Sequence, residues 1–170
     1  MIGKIKILRE LFEVELNYAY DCEDKLVKKG LPAMIESASS RDLRMALEKH
    51  LEETRGHVGR LDRVFSETGL KPGSKDNDVI EEMMKAAKDS TAHIDNSPLR
   101  DTALIVNGNQ VEHYEIALYG TLVSLARSLG LHNAAGYLQQ TLAEEKAADA
   151  KLTELGETSL NARAASQHAD

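Results

Sequence analysis

Seven side chains are suited by type and spacing to holding a cation: Glu23, Glu53, His57, Glu112, Glu115, Glu145 and Asp149. Carboxylate oxygens and imidazole nitrogens are ligands for hard and borderline divalent metals. Glu23 and Glu53 stand thirty residues apart, and so do Glu115 and Glu145. The midpoints fall at 38 and 130, inside two stretches that read as turns, Ser37–Ser40 and Leu129-Gly130. In an antiparallel helix pair, residues equidistant from the turn stand level with each other. Each of these lies about 15 residues from its turn, roughly 22 Å along the axis at ~1.5 Å per residue.

The two hairpins repeat. Glu23 and Glu115, Glu53 and Glu145, and His57 and Asp149 all share an offset of 92. Each hairpin thus offers one Glu from its first helix, and a Glu with a second ligand four residues later from its second. Glu112 lies three residues before Glu115 and shares its face. Its counterpart at the same offset is Tyr20, so the repeat is imperfect there. One Glu from each of two helices, with a Glu-x-x-His from each of the other two, is the ligand set of di-metal carboxylate bundles. Here the second-helix spacing is i+4, and Asp149 stands in place of one imidazole. An oxygen-rich set without thiolate suits two iron ions, or a mixed iron and manganese pair, better than copper or a structural zinc. Metals about 3.5–4 Å apart and bridged by carboxylates can bind O2 or peroxide between them. The competing arrangement is a plain bundle whose carboxylates are solvated or paired with Lys and Arg.

Neighbouring residues carry weaker signals. His50 lies one heptad before His57 and reads as a hydrogen-bonded core histidine. Tyr20 reads as packing with a satisfied hydroxyl, within reach of Glu23 by sequence. Cys22 reads as a small buried hydrophobe. Glu52, Glu144 and Lys146 read as solvated face, and His113 as a surface or supporting residue.

The elements that would position this set are helices. The chain is rich in Ala, Leu, Glu and Lys, with few aromatic or β-branched residues, which points to an all-α fold. Turn signals bound a first helical piece from about Ile2 to Ile35, kinked at Gly30 and Pro32. A second runs from Arg41 to Thr68 and ends at Gly69. A shorter amphipathic segment covers Asp78 to Ala92. A third long helix opens at Ser97-Pro98, and a fourth fades near Gly156. Residues 157–170 hold few large apolar side chains and are expected to fray. Apolar stripes run along each long helix, for example Phe12, Leu16, Ala19 and Leu26, or Leu43, Leu47, Leu61 and Phe65. The candidate ligands interrupt these stripes near their centres, where an uncompensated carboxylate costs several kcal/mol. Short turns within two hairpins and a longer connection between them describe a four-helix bundle with one crossover.

Composition narrows the function. The 170 residues carry 21 Lys and Arg against 28 Asp and Glu, a formal charge of −7. An acidic chain without a basic cluster is poorly suited to nucleic acid or to anionic membranes. No apolar run approaches the ~18–20 residues of a membrane span. The single cysteine, Cys22, excludes a disulfide framework within one chain. A cytoplasmic location is the expectation.

At these same residues the chain resembles the YciF/YciE family of ferritin-like bacterial stress proteins. Tyr20-Asp21-Cys22-Glu23-Asp24-Lys25-Leu26 is similar to that family's Tyr-x-Ala-Glu-x-x-Leu, with Cys22 replacing the alanine. His50-Leu51-Glu52-Glu53-Thr54 with Arg60-Leu61-Asp62 resembles its second helix. The stretch from Val111 to Leu122, and Thr141 to Lys146 followed by Asp149 and Leu152, resemble the third and fourth. The resemblance spans roughly residues 5–155. It implies a ferritin-like bundle over 1–156 with a short fifth helix in the crossover, a homodimer, and a di-iron-type site. It further implies Glu23, Glu53, Glu112, Glu115, Glu145 and Asp149 as ligands, whereas the position of His57 can be glutamine. Reaction of such a centre with O2 or peroxide during stress is the expected function; a structural or partner-binding bundle stapled by metal is the alternative.

Overall fold

A computed structural model describes residues 4–73, 76–95 and 97–167. Among them the protein is all-helical: α1 (Leu8–Lys25), a π-helical turn (Leu26–Gly30), α2 (Leu31–Ser37), α3 (Arg41–Thr68), α4 (Asp78–Ala92), α5 (Ser97–Ser128), α6 (His132–Leu155), a second π-helical turn (Gly156–Leu160) and α7 (Asn161–Ala165). Local chemistry sets the ends. The Ser40 hydroxyl accepts from the Leu43 amide, and the Asn77 side chain accepts from the Ile80 amide, capping α3 and α4. Gly69 and Gly130 take positive φ, 67° and 71°, where a side chain would be strained, and they stop α3 and α5.

The long helices form a ring: α1 packs on α3 and α5, and α6 packs on α3 and α5. Their buried faces are the apolar stripes of the sequence, gathered into two clusters. One holds Phe12, Leu16, Leu61, Phe65, Leu122 and Leu138. The other holds Leu26, Leu31, Leu43, Leu47, Leu104 and Leu152. Following each helix through the clusters gives its direction. α1 and α6 run from the first cluster to the second; α3 and α5 run from the second to the first. Since α3 and α5 point the same way, the chain between them must return the length of the molecule, and α4 lies in that return. It rests on α5 and α1 through the fully buried Ile80. The buried Asn77 fastens its start: its amide donates to Asp21 Oδ2 (2.6 Å), and its side-chain nitrogen donates to the Tyr18 carbonyl (3.0 Å) and to the Tyr114 hydroxyl (2.8 Å).

Three boundaries differ from the sequence expectation. The first helix begins at Leu8, and residues 4–7 are not helical; the Glu10 carboxylate accepts from the Lys6 and Ile7 amides and fixes the start there. The expected beginning at Ile2 lies outside the described residues. At Gly30 and Pro32 the helix widens into a π turn and continues, which accommodates the amide hydrogen that proline lacks. The segment expected to fray is helical to Ala165, because Leu160 is buried in the second apolar cluster; residues 168–170 lie outside the described set.

One buried acid secures the turn between the first two long helices. Asp101, in the first turns of α5, accepts from the Ser39 amide (2.8 Å), the Ser39 hydroxyl (2.6 Å) and the Ser40 amide (2.8 Å). Asp101→Ala removes the acceptor of two backbone amides, while the Ser39 hydroxyl keeps the Ser97 carbonyl at 3.3 Å, and should cost about 2 kcal/mol. Urea unfolding of the two proteins measures it, and a change below about 0.5 kcal/mol would contradict this assignment.

Candidate metal centre

Between the two apolar clusters lies a polar layer contributed by all four long helices. α1 supplies Glu23, α3 supplies His50 and His57, α5 supplies Glu112 and Glu115, and α6 supplies Glu145, all buried. Donor atoms of His50, Glu112, Glu115 and Glu145 lie within 4.8 Å of one another, and so do those of Glu23, His57 and Glu145. Either group could hold a metal ion, and Glu145 belongs to both. His57 Nδ1 lies 2.9 Å from Glu145 Oε1 and 3.3 Å from Glu23 Oε1. His50 Nε2 lies 3.2 Å from Glu112 Oε1 and 3.8 Å from Glu145 Oε2.

The residues fit a cation on an observation of their own. Glu23 Oε2, Glu112 Oε2, Glu115 Oε2 and both oxygens of Glu145 are buried without a hydrogen-bond partner. His50 Nδ1 and His57 Nδ1 are in the same condition; the contact of His57 Nδ1 with Glu145 is close but lacks hydrogen-bond geometry. Each such atom costs about 1–3 kcal/mol when left bare, and more when charged. Four carboxylates carry the charge that two divalent cations cancel, and the two imidazoles complete an N/O donor set.

Electrostatics in the metal-free protein show the same need. Burial raises Glu115 well above the usual carboxylate range, and the charges of Glu145, Glu23 and Glu112 add to it. Burial raises Glu23 too, against the opposing pull of His57. Glu112 is pushed up to about 7 by burial, with His50 opposing. Burial would lower His57, but the contacts with Glu145 and Glu23 carry it up to about 10. His50 is raised in the same way by Glu112 and Glu53, against burial. Without metal, protons must supply the neutralising charge.

Supporting residues orient the layer. The buried Tyr119 hydroxyl donates a short hydrogen bond to Glu23 Oε1. The Cys22 thiol points at Glu115 Oε1 from 3.7 Å, and burial raises its pKa, so it stays protonated and can donate. His57 Nε2 lies 2.9 Å from Glu144 Oε2, and Arg60 grips that carboxylate with two bonds of 2.7 Å. A carboxylate behind one imidazole nitrogen fixes the ring and leaves the other nitrogen to face a metal.

Of the seven residues singled out by sequence, Glu23, His57, Glu112, Glu115 and Glu145 meet in this layer. Glu53 and Asp149 stand at its edges. Glu53 keeps 27% of its side chain exposed, with Oε1 2.5 Å from Lys49 Nζ and Oε2 3.9 Å from His50 Nδ1. Asp149 Oδ1, buried without a hydrogen-bond partner, lies 3.1 Å from the exposed His113 of α5. His50, read as a core histidine, is buried as expected but joins a potential ligand group. Glu144, read as solvated face, instead backs His57. Tyr119 went unnoticed, although it follows Glu115 by one helical turn. Tyr20 packs edge-on against Phe65, as its ordinary reading holds.

An all-helical molecule with a buried carboxylate and histidine layer across four helices is the class of protein that these observations define. The chain belongs to the family described as domain of unknown function (DUF892), whose profile matches residues 7–165. It is 38% identical over 161 residues to Protein YciF of Escherichia coli strain K12, spanning 94% of this chain and 96% of that protein. The crystal structure of the E. coli stress protein YciF superposes with a TM-score of 0.87, at 36% identity over 92% of this chain and 99% of that one. YcfI from Rhodopseudomonas palustris, provisionally described as a structural protein, gives 0.86 at 38% identity over 90% and 97%. A protein from Xanthomonas campestris pv. campestris shares the fold, with a TM-score of 0.73 at 22% identity over 94% and 97%.

The raised carboxyl groups set a pH dependence. Glu112 goes from the usual 4.5 to about 7, so over that window the folded chain holds a proton that the unfolded chain has lost. The contribution of Glu112 to metal-free stability is therefore fullest below about pH 4.5 and is lost as pH rises through 7, on the order of 3 kcal/mol. Cations held in the layer would replace the protons, so the gap in Tm between Mn(II)-loaded and chelated protein should widen from pH 5 to pH 8. Glu115→Gln should raise the Tm of chelated protein at pH 8 and shrink that gap. Calorimetry showing a gap independent of pH, or a destabilised chelated Glu115→Gln, would contradict this.

Proposed function

We propose that this chain is a ferritin-like protein of the bacterial stress response whose polar layer binds two metal ions, iron or an iron and manganese pair. The observation that carries the reading is Glu145, shared by two donor groups whose buried oxygens lack partners. The four-helix ring, the long return carrying α4 and the likeness to a named stress protein support it. His50, Glu112 and Glu115 would hold one ion, Glu23 and His57 the other, and Glu145 would serve both groups. Glu53, whose Oε2 lies 3.9 Å from His50 Nδ1, and Asp149, one helical turn after Glu145, would join by side-chain rotation.

When bound as Fe(II), such a pair supplies two electrons to O2 or peroxide. The chain's own part is to orient ligands and manage protons. Tyr119 fixes Glu23 through its hydroxyl. Arg60 and Glu144 hold the ring proton of His57 at Nε2. Nδ1 must lose its proton before its lone pair is available, so loading releases protons and tightens as pH rises. The two apolar clusters keep bulk water from both ends of the layer.

A second reading has its own support. The layer ties four helices together, so the metal would act as a staple; the R. palustris relative is described as a structural protein. Oxygen-electrode and stopped-flow measurements on the anaerobically Fe(II)-loaded protein separate the two. The redox reading expects oxidant consumption above that of free iron, reduced at least about ten-fold in Glu145→Ala. Two ions bound with no consumption would leave only the staple.

A cytoplasmic location and a homodimer complete the proposal. Ile5, Ile7 and Leu8 form an exposed apolar group at the start of α1, suited to a second copy. Light scattering should give twice the 18.7 kDa chain mass, and Ile7→Glu should shift it toward one; a monomeric parent would contradict this.

A further inference from the structure

We infer that the cavity beneath α4 is a binding site for a free aliphatic monocarboxylate, independent of any metal. The cavity is about 690 Å³ and is bounded by the first π turn, α2, α4 and α5. That size is typical of pockets for small organic ligands. Its walls are mainly apolar and include Leu26, Leu31, Met34, Met84, Leu104 and Leu152. Two of these are methionines, whose unbranched, polarizable side chains adapt to flexible hydrocarbon.

Two glycines let the wall side chains pack directly on the backbone. A Cβ at Gly108 would come within 2.7 Å of Leu152 and 3.4 Å of Met34, and one at Gly30 within 2.9 Å of Leu26 and 3.7 Å of Met84. Both glycines line the cavity. The π turn ends at Gly30, and such widened turns are frequent at functional sites.

Charge selects the ligand. The rim carries four lysines, Lys25, Lys29, Lys85 and Lys88, against Glu36 and Glu81. Lys25 is engaged by Asp21 and Glu81, and Lys85 by Glu82. Lys29 and Lys88 are exposed and form no ion pair among the described residues. In an otherwise acidic protein this leaves a positive rim over an apolar interior. A carboxylate at Lys29 and Lys88, with its chain beneath α4, satisfies both. The inner end is closed by His50, Glu112 and Glu115, which disfavour a second anionic group on the ligand.

Isothermal titration of the chelated full chain with decanoate, 1-decanol and decyltrimethylammonium tests this. Decanoate should bind saturably at one site, with the alcohol and the cation at least about ten-fold weaker. Lys29→Glu with Lys88→Glu, both on the surface, should weaken decanoate about ten-fold while leaving the alcohol unchanged. Met84→Trp, checked for native helix content by circular dichroism, should abolish binding by filling the cavity. Absence of decanoate binding, equal affinity for the cation, or indifference to the lysine changes would overturn the proposal.

Discussion

Four carboxylates placed side by side inside a helical protein repel one another and have lost their water. That constraint governs the molecule. Glu23, Glu112, Glu115 and Glu145 share one layer with two imidazoles, and several of their oxygens have no partner. The rest of the structure can be understood as what makes such a layer tolerable. Apolar clusters above and below carry the folding free energy that the layer does not. Tyr119, Cys22 and the Arg60–Glu144 pair supply hydrogen bonds at its margins. The remaining deficit is electrostatic, and cations or protons must meet it.

The same layer explains why stability and binding are hard to separate here. Its ligands come from four helices, so an ion would hold the helices together as directly as it would react. A chain that binds metal only when folded gains stability by mass action, whatever chemistry follows. Helix direction matters as well. Because α3 and α5 run the same way, the return segment must cross the outside of the molecule, and α4 becomes the wall of a cavity that reaches the layer's edge. A site buried in this way acquires a side pocket as a consequence of topology.

Much of this was legible in the sequence. The stripes marked the buried faces, and polar residues inside those stripes marked the layer, because burial and helical period are both local properties. Thirty-residue spacings about two turns put Glu23, Glu115 and Glu145 at one height, where the structure has them. Rotation within the layer is less legible. Glu53 and His50 are three residues apart on one face; which turns inward depends on Lys49 and on the space beside Glu112, and neither is visible in periodicity. The repeat places Asp149 one turn beyond Glu145, and its contact with His113 is not visible in periodicity. Glu144 looked like surface because its partner, Arg60, is 84 residues distant. The π turns were hidden too, since a proline signals a break whether the helix bends or widens. Leu160, alone in a polar tail, gave little sign that it would anchor the last turns.

Metal analysis tests most directly whether cations belong in the layer. Protein purified without chelator, crystallised and measured at the absorption edges of iron and manganese should show two anomalous peaks flanking Glu145. One should lie beside His57 and the other beside His50, with about two metal equivalents per chain by mass spectrometry. Metal-free protein that takes up no iron or manganese on anaerobic titration, with no anomalous peak at Glu145, would contradict it.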